Sequence, residues 1–346
     1  MRKSICYSFI LLLLYPPALI ELESSFRTWV PKKVTVQPQL ATSEFNKKQV
    51  VPTPITTIAQ YEPTLSNNHS HLFDADICNL SGQRQDLASQ RRDAIKRLDS
   101  RYEHYFYQAN HQIGINIYST NLTREFKTDL LYSLNYMYDY FKTRLKSLTK
   151  ASITLHMIIT PSREEYLELT STYSTELEKT TGVYFGGLNL AYVDYQHNDL
   201  KALRTTIHES FHGLSAHFIG RTARMFNEGM AVRFADIITN KLINGAPDRR
   251  MTGEVYLMME FFESELWASL LTRKLYYSSW AWITFMHTAE QHQNSLINYI
   301  IKQQKQPCEP LTAGEIYDVI GDNTAEHEAQ FNHWLEQNRE YWRNKN

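Results

Sequence analysis

The stretch Thr205-Thr206-Ile207-His208-Glu209-Ser210-Phe211-His212-Gly213-Leu214 decides how the chain is read. It holds the pattern H-E-x-x-H inside a run whose apolar residues, Leu203, Ile207, Phe211, Leu214 and Phe218, recur at three- and four-residue steps. That period is the mark of a helix with one buried face. The helix is expected to begin near Leu200. Residues four apart on it stand about 40° apart around the axis and one turn along it, so both imidazoles reach one metal ion from the same side. Glu209 adjoins His208 without being a ligand. A carboxylate there is placed to take a proton from the water that a catalytic metal activates.

With 13 histidines in 346 residues, the pattern arises by chance often enough that a third ligand must be found. A catalytic zinc takes three protein ligands and keeps one position open. One candidate is a histidine six residues past His212, but Phe218 stands there, Ser215 occupies the position where a glycine would turn the chain, and His217 is one residue off. The other is Glu228, in Met225-Phe226-Asn227-Glu228-Gly229-Met230-Ala231, which opens a second helical pattern running through Phe234, Ile237 and Ile238. A carboxylate on a helix packed beside the first completes a two-histidine, one-glutamate set. Asp236 on that second helix is a candidate to orient a ligating imidazole.

Before this region the chain alternates helical and extended patterns. Leu87, Ile95, Leu98, Tyr102 and Tyr105 read as an amphipathic helix, and Ile113, Ile115 and Ile117 as a short strand. Thr123 opens a long helix carrying Phe126, Leu130, Leu134, Met137, Phe141, Leu145 and Leu148, and Ile153 to Thr160 is a buried strand. Ser162 caps the next helix, with Glu165 completing a capping box. Val183-Tyr184-Phe185 and the run from Leu188 to Tyr195 flank Gly186-Gly187, a pair suited to the positive φ of a tight hairpin. Leu188 to Val193 is a candidate sheet edge for pairing with an extended peptide. Downstream, the stretches from Glu254 to His287 and from Ile316 to Trp342 read as helices closing the far side of a cleft. The class is α+β, a small mixed sheet over the metal-binding helix and a mainly helical C-terminal half.

Taken together, His208-Glu209-Ser210-Phe211-His212 and Phe226-Asn227-Glu228-Gly229-Met230-Ala231 resemble the gluzincin metallopeptidases, and within them the peptidase-MA-like families of bacterial envelope proteins. Gly182-Val183-Tyr184-Phe185 and Tyr276-Tyr277-Ser278-Ser279-Trp280-Ala281-Trp282 extend the resemblance. It implies a zincin-like fold, Zn²⁺ held by His208, His212 and Glu228, Glu209 as catalytic base, and Tyr276 or Tyr277 as a stabiliser of the oxyanion. Fifteen residues separate His212 from Glu228, a shorter gap than in the best-known enzymes of the group.

Arg2 and Lys3 precede an apolar run from Ile5 to Leu14, too short to span a bilayer as a helix, which reads as a signal peptide over residues 1–20 and places the protein in the periplasm or outside the cell. An uncleaved anchor is the alternative. Residues 21–80 read as a polar, Pro- and Thr-rich lead-in in which His69 and His71 are solvated, residues 81–112 as an N-terminal helix, and residues 113–346 as the main domain. Of the three cysteines, Cys6 leaves with the signal, and Cys78 and Cys308 either form one disulfide or stay as thiols. With 36 basic against 37 acidic residues, no basic patch marks a nucleic-acid partner. The expected partner is a peptide or protein substrate, and the expected activity is zinc-dependent peptide hydrolysis in the cell envelope. The alternative is an exported binding or assembly protein that keeps the metal site without turnover.

Overall fold

The structure, a computed structural model, describes residues 81–143, 152–173, 177, 180–196, 198–242, 254–262, 273–287, 290–320 and 324–344. The stretches read as a signal segment (1–20) and as a lead-in with two histidines (21–80), with Cys6 and Cys78, lie outside the described residues, as do Leu145 and Leu148. Cys308 is disulfide-bonded.

The elements run α1 (Ser81–Lys96), β1 (Glu103–Gln108), β2 (Ile113–Ser119), α2 (Arg124–Thr143), β3 (Ile153–Thr160), α3 (Arg163–Ser171), β4 (Gly182–Phe185), β5 (Leu190–Asp194), α4 (Asp199–Phe218), α5 (Arg224–Leu242), a 3-10 turn (Met259–Phe262), α6 (Arg273–Met286), α7 (Glu290–Lys305), α8 (Ala313–Ile320) and α9 (Thr324–Asn344). The strands form one mixed sheet in the order β1-β2-β3-β5-β4, antiparallel at both edges and parallel between β2, β3 and β5. The chain is thus α+β with a small five-stranded sheet and a mostly helical C-terminal half.

Alternation along the strands sorts side chains to two faces. Ile113, Ile115, Ile117, Leu155, Met157, Ile159 and Val193 join the main core with α2 and α4. Ile158, Val183, Leu190 and Tyr192 point the other way, into a smaller cluster beneath α1 and α3. Covered on both sides, β5 is buried at all five positions, as expected of parallel strands enclosed by helices. In the main core Phe211 of α4 stacks on Phe141 of α2 at 5.5 Å and on Phe234 of α5 at 4.9 Å, and those two rings stack on each other at 6.2 Å. The three helices thereby meet at a triangle of rings.

Several expectations are corrected. On that side of the sheet the edge is β4 and not the strand from Leu188, since β5 is hydrogen-bonded to β3 on one side and β4 on the other. The hairpin between them spends its positive φ at Asn189, φ 47°, and neither Gly186 nor Gly187 takes one. Asn189 tolerates that backbone because its short amide bonds locally: it accepts from Tyr184 Oη at 3.2 Å and donates to Thr154 O at 2.8 Å. The helix read through Tyr105 stops at Lys96, and Tyr105 lies in edge strand β1. Ser162 caps α3 as expected, accepting from the Glu165 amide at 3.3 Å. The Glu165 carboxylate instead meets Arg101 at 2.9 Å and Tyr102 Oη at 2.8 Å.

Candidate metal centre

Helix α4 starts at an Asn198 cap, whose side chain accepts from the Lys201 amide at 3.0 Å. It then runs through the core with fifteen of its residues buried. Two glycines let it press against the sheet. A Cβ on Gly213 would come within 2.5 Å of Leu155 Cδ2, and one on Gly182 of β4 within 2.4 Å of Thr205 Cγ2 and 2.8 Å of Glu209 Oε1. Glu209 therefore lies directly against the edge strand.

The turn from α4 to α5 takes only residues 219–223. The amides of Ile219 and Gly220 both donate to Ser215 O, at 2.8 and 3.1 Å. Gly220 has a φ of 101°, a conformation reserved for glycine, and a Cβ there would strike Pro307. The C-terminal helices brace this turn: Arg221 N donates to Pro307 O at 2.7 Å, Ala223 N to Tyr299 Oη at 3.0 Å, and Gln304 Nε2 to Phe218 O at 2.7 Å. The short fifteen-residue gap between His212 and Glu228 is spanned by this tight, braced reversal.

Across the turn the predicted ligands meet. His208 Nε2 is 3.4 Å and His212 Nε2 3.7 Å from Glu228 Oε2, and the ligand atoms of all three lie within 4.8 Å of one another. Among the described residues this is where three potential metal ligands gather. His208, Glu209 and Glu228 are fully buried and His212 nearly so. His212 Nε2 and all four carboxylate oxygens of Glu209 and Glu228 have no hydrogen-bond partner. Buried polar atoms are normally paired, so five such atoms in one place, of the types a divalent cation binds, fit a metal.

The electrostatics point the same way. Burial pushes Glu209 well above the usual carboxylate range, and Glu228 adds to the shift. Burial likewise raises Glu228 to about 8 against the opposing charge of Arg224. It lowers His212 to about 4, opposed by the Asn227 hydrogen bond and assisted by Arg224. Burial thus disfavours the charged form of both Glu228 and His212, despite their closeness. A cation would reverse that preference for the carboxylate and suits the neutral imidazole as it stands.

Asn227 was quoted in the sequence without a role. Its Oδ1 lies 3.1 Å from His212 Nδ1, so that Nδ1 donates and Nε2 keeps its lone pair toward Glu228. Asp236 pairs with Arg204 instead. His217, 7% exposed, turns its ring edge to Phe218 and is outside the cluster.

The two tyrosines part company. Tyr276 is buried, with its hydroxyl pushed far up by burial and then by the charge of Glu228, and Glu209 adds to the shift. Tyr277 packs its ring on Trp280 at 5.6 Å and is half-buried. Gly229 lets the helix that carries Tyr276 pack close beside Glu228. A Cβ on it would lie 2.5 Å from Ser279 O and 2.6 Å from Ile283 Cγ1, so α6 approaches α5 backbone to backbone one residue past Glu228. Neither Asn227 nor Gly229 carries a signal of its own in one sequence; adjacency to Glu228 is the clue to both.

No protein-family model matches the chain, and no curated protein does. Among solved structures it is similar to aminopeptidase A of Legionella pneumophila in complex with aspartic acid, with a TM-score of 0.40 and 14% identity over 68% of this chain. The match spans 28% of that protein's length.

Proposed function

We propose that the chain is a zinc-dependent peptidase of zincin-like fold, acting on peptide or protein substrates in the cell envelope. The observation that carries this reading is the convergence of His208, His212 and Glu228 with a second buried carboxylate, Glu209, next to it and outside the ligand set. A purely structural zinc is closed by four protein ligands and has no use for such a neighbour.

His208, His212 and Glu228 would hold the ion. Zinc bound there supplies Lewis-acid polarisation of the scissile carbonyl and lowers the pKa of water. Glu209 takes the proton of the attacking water and returns it to the leaving nitrogen, a role that its raised pKa suits, since a base that is too weak cannot take the proton and one that is too strong cannot give it up. Tyr276 donates a hydrogen bond to the carbonyl oxygen as negative charge builds there. β4 is an edge strand of the sheet among the described residues, where an extended substrate would pair, and Gly182 would set that pairing beside Glu209. The Arg2-Lys3 start, the apolar run after it and a disulfide at Cys308 support an oxidising, exported setting.

Glu209→Gln is the test. Wild-type protein is expected to cleave a casein or peptide library in a chelator-sensitive way, and the variant to lose at least about 10²-fold in kcat while keeping its metal. Metal retained by both with hydrolysis by neither would replace the enzyme with a binding protein.

A further inference from the structure

Cys308 is disulfide-bonded, and it follows directly on Pro307, the residue against which the α4–α5 reversal is packed. Arg221 N donates to Pro307 O at 2.7 Å, and a Cβ on Gly220 would lie 2.5 Å from Pro307 Cα. The segment that carries both residues is folded around one buried amide. Gln303 Nε2 donates to Gln306 O at 2.9 Å and to Glu309 O at 2.8 Å, and its Oε1 accepts from Leu311 N at 3.0 Å. A displacement of this segment is therefore passed to the turn, and from there along α5 to Glu228.

The chain has three cysteines, so a disulfide within it joins Cys308 to Cys6 or to Cys78. Cys6 falls in the apolar run that reads as a signal. Cys78 stands three positions before α1. Helix α4 passes Gly182 at Thr205 and Tyr184 at Gly213, so its C-terminal end and the Gly220 turn lie toward the β4–β5 hairpin. Helix α1 touches the same hairpin: a Cβ on Gly187 would meet Leu87 at 3.6 Å, and Arg91 Nη1 donates to Leu188 O at 3.0 Å. From Leu87 back to Ser81 is about 9 Å of helix, and three more residues span at most about 11 Å. The chain thus holds Cys78 to this end of the molecule, where Cys308 and the turn are.

We propose that Cys78 and Cys308 form a redox-sensitive staple that holds the Pro307 segment on the Gly220 turn and so keeps Glu228 in register with His208 and His212. This rests on the metal-binding part of the reading above and not on hydrolysis. A dithiol undoes the staple: the bond between the two protein sulfurs breaks, each takes a proton to become a thiol, and the dithiol is oxidised to its own disulfide. The freed segment then leaves the turn with one fewer restraint and the centre with a lower metal affinity. By reciprocity, bound zinc makes the disulfide harder to reduce by the same factor.

The test uses the full chain purified from an oxidising compartment, with Cys78→Ser, Cys308→Ser and the double variant. Peptide mapping by mass spectrometry without reductant should find the Cys78 and Cys308 peptides joined; a link to Cys6, or two free thiols, overturns the pairing. Serine cannot bind zinc as a thiolate does, so the variants report the staple alone. Zinc affinity, by competition with a chromogenic chelator, should fall at least about fivefold in each single variant and no further in the double. Losses that multiply in the double variant, or an unchanged affinity, contradict the proposal. Amide hydrogen exchange of the metal-free proteins supplies the readout that general destabilisation does not imitate. Residues 219–223 should exchange faster in the variants while α2 and the sheet do not, and a uniform rise across the chain defeats the staple. Where a variant fails to fold, wild type reduced with a phosphine and capped with iodoacetamide takes its place. A wild type that binds no zinc but shows exchange loosened at the turn alone loses the metal centre and keeps the staple; zinc bound equally with and without the disulfide keeps the centre and loses the staple's hold on it.

Discussion

Asn227 Oδ1 sits 3.1 Å from His212 Nδ1, joining the residue just before the predicted carboxylate ligand to the second histidine of the H-E-x-x-H helix. The bond crosses the α4–α5 reversal and decides which ring nitrogen is free to bind a metal. Orienting partners of this kind typically contribute 10- to 100-fold in metal affinity. Asn227→Ala is therefore expected to weaken zinc binding by about that factor without unfolding the protein, measured by competition with a chromogenic chelator. An unchanged affinity would remove Asn227 from the centre.

Gly182 leaves room for the Glu209 side chain, since a Cβ there would fall 2.8 Å from Oε1. Gly182→Ala must push Thr205, Glu209 or the edge strand aside by several tenths of an ångström, and Thr205 lies one helical turn before Glu209, so misplacement on this scale reaches the base and costs catalysis heavily. The expected outcome is a loss of at least about tenfold in kcat/KM with zinc stoichiometry intact. Full activity in the variant would place the reacting carbonyl away from β4.

Phe211 is one of three mutually stacked rings, with Phe141 and Phe234, on which α2, α4 and α5 meet, and it is fully buried. Phe211→Ala is expected to cost roughly 3–5 kcal/mol of stability. Because the lost ring lies one residue before His212, zinc affinity should fall with it. Denaturant unfolding of the metal-free and zinc-loaded protein separates the two effects, and a stability loss below about 1 kcal/mol would contradict the packing described.

Two histidines away from the centre set an acid limit on the fold. Burial lowers His156 to about 3, with Arg91 and His104 adding to the shift, and lowers His287 to about 4, with Arg233 adding. Their ordinary value is 6.5. The unfolded chain takes up these protons below about 6.5, whereas the folded chain refuses them until about 4 or lower. Their contribution is thus fully present above about pH 6.5 and is lost as pH falls toward 4. The Tm of the protein should decline through that window, and His156→Gln should flatten the decline; an equal slope in the variant would count against it.

The closeness of His208 and His212 was legible in the sequence because their spacing is dictated by helix geometry: residues four apart must share a face whatever the rest of the chain does. Glu228 needed tertiary information as well, and the structure supplies it through the Gly220 turn braced by Pro307 and Tyr299. The strand from Leu188 was legible as a strand but not as an interior one. An apolar run reads alike at an edge or between neighbours, and the pairing of β5 with β3 is set by a distant parallel crossover. Tyr102 and Tyr105 stand three apart, which fits a helix, yet Tyr105 and Tyr107 stand two apart, which fits a strand; short aromatic runs satisfy both periods.

The most direct measurement is the metal content of purified protein after loading with zinc and removal of excess, for wild type, His208→Ala, His212→Ala and Glu228→Ala, each shown folded by circular dichroism. One zinc per wild-type chain is expected, with near-complete loss in all three variants. A wild type that retains no metal, or a Glu228→Ala protein that retains as much as wild type, would contradict the account at its root.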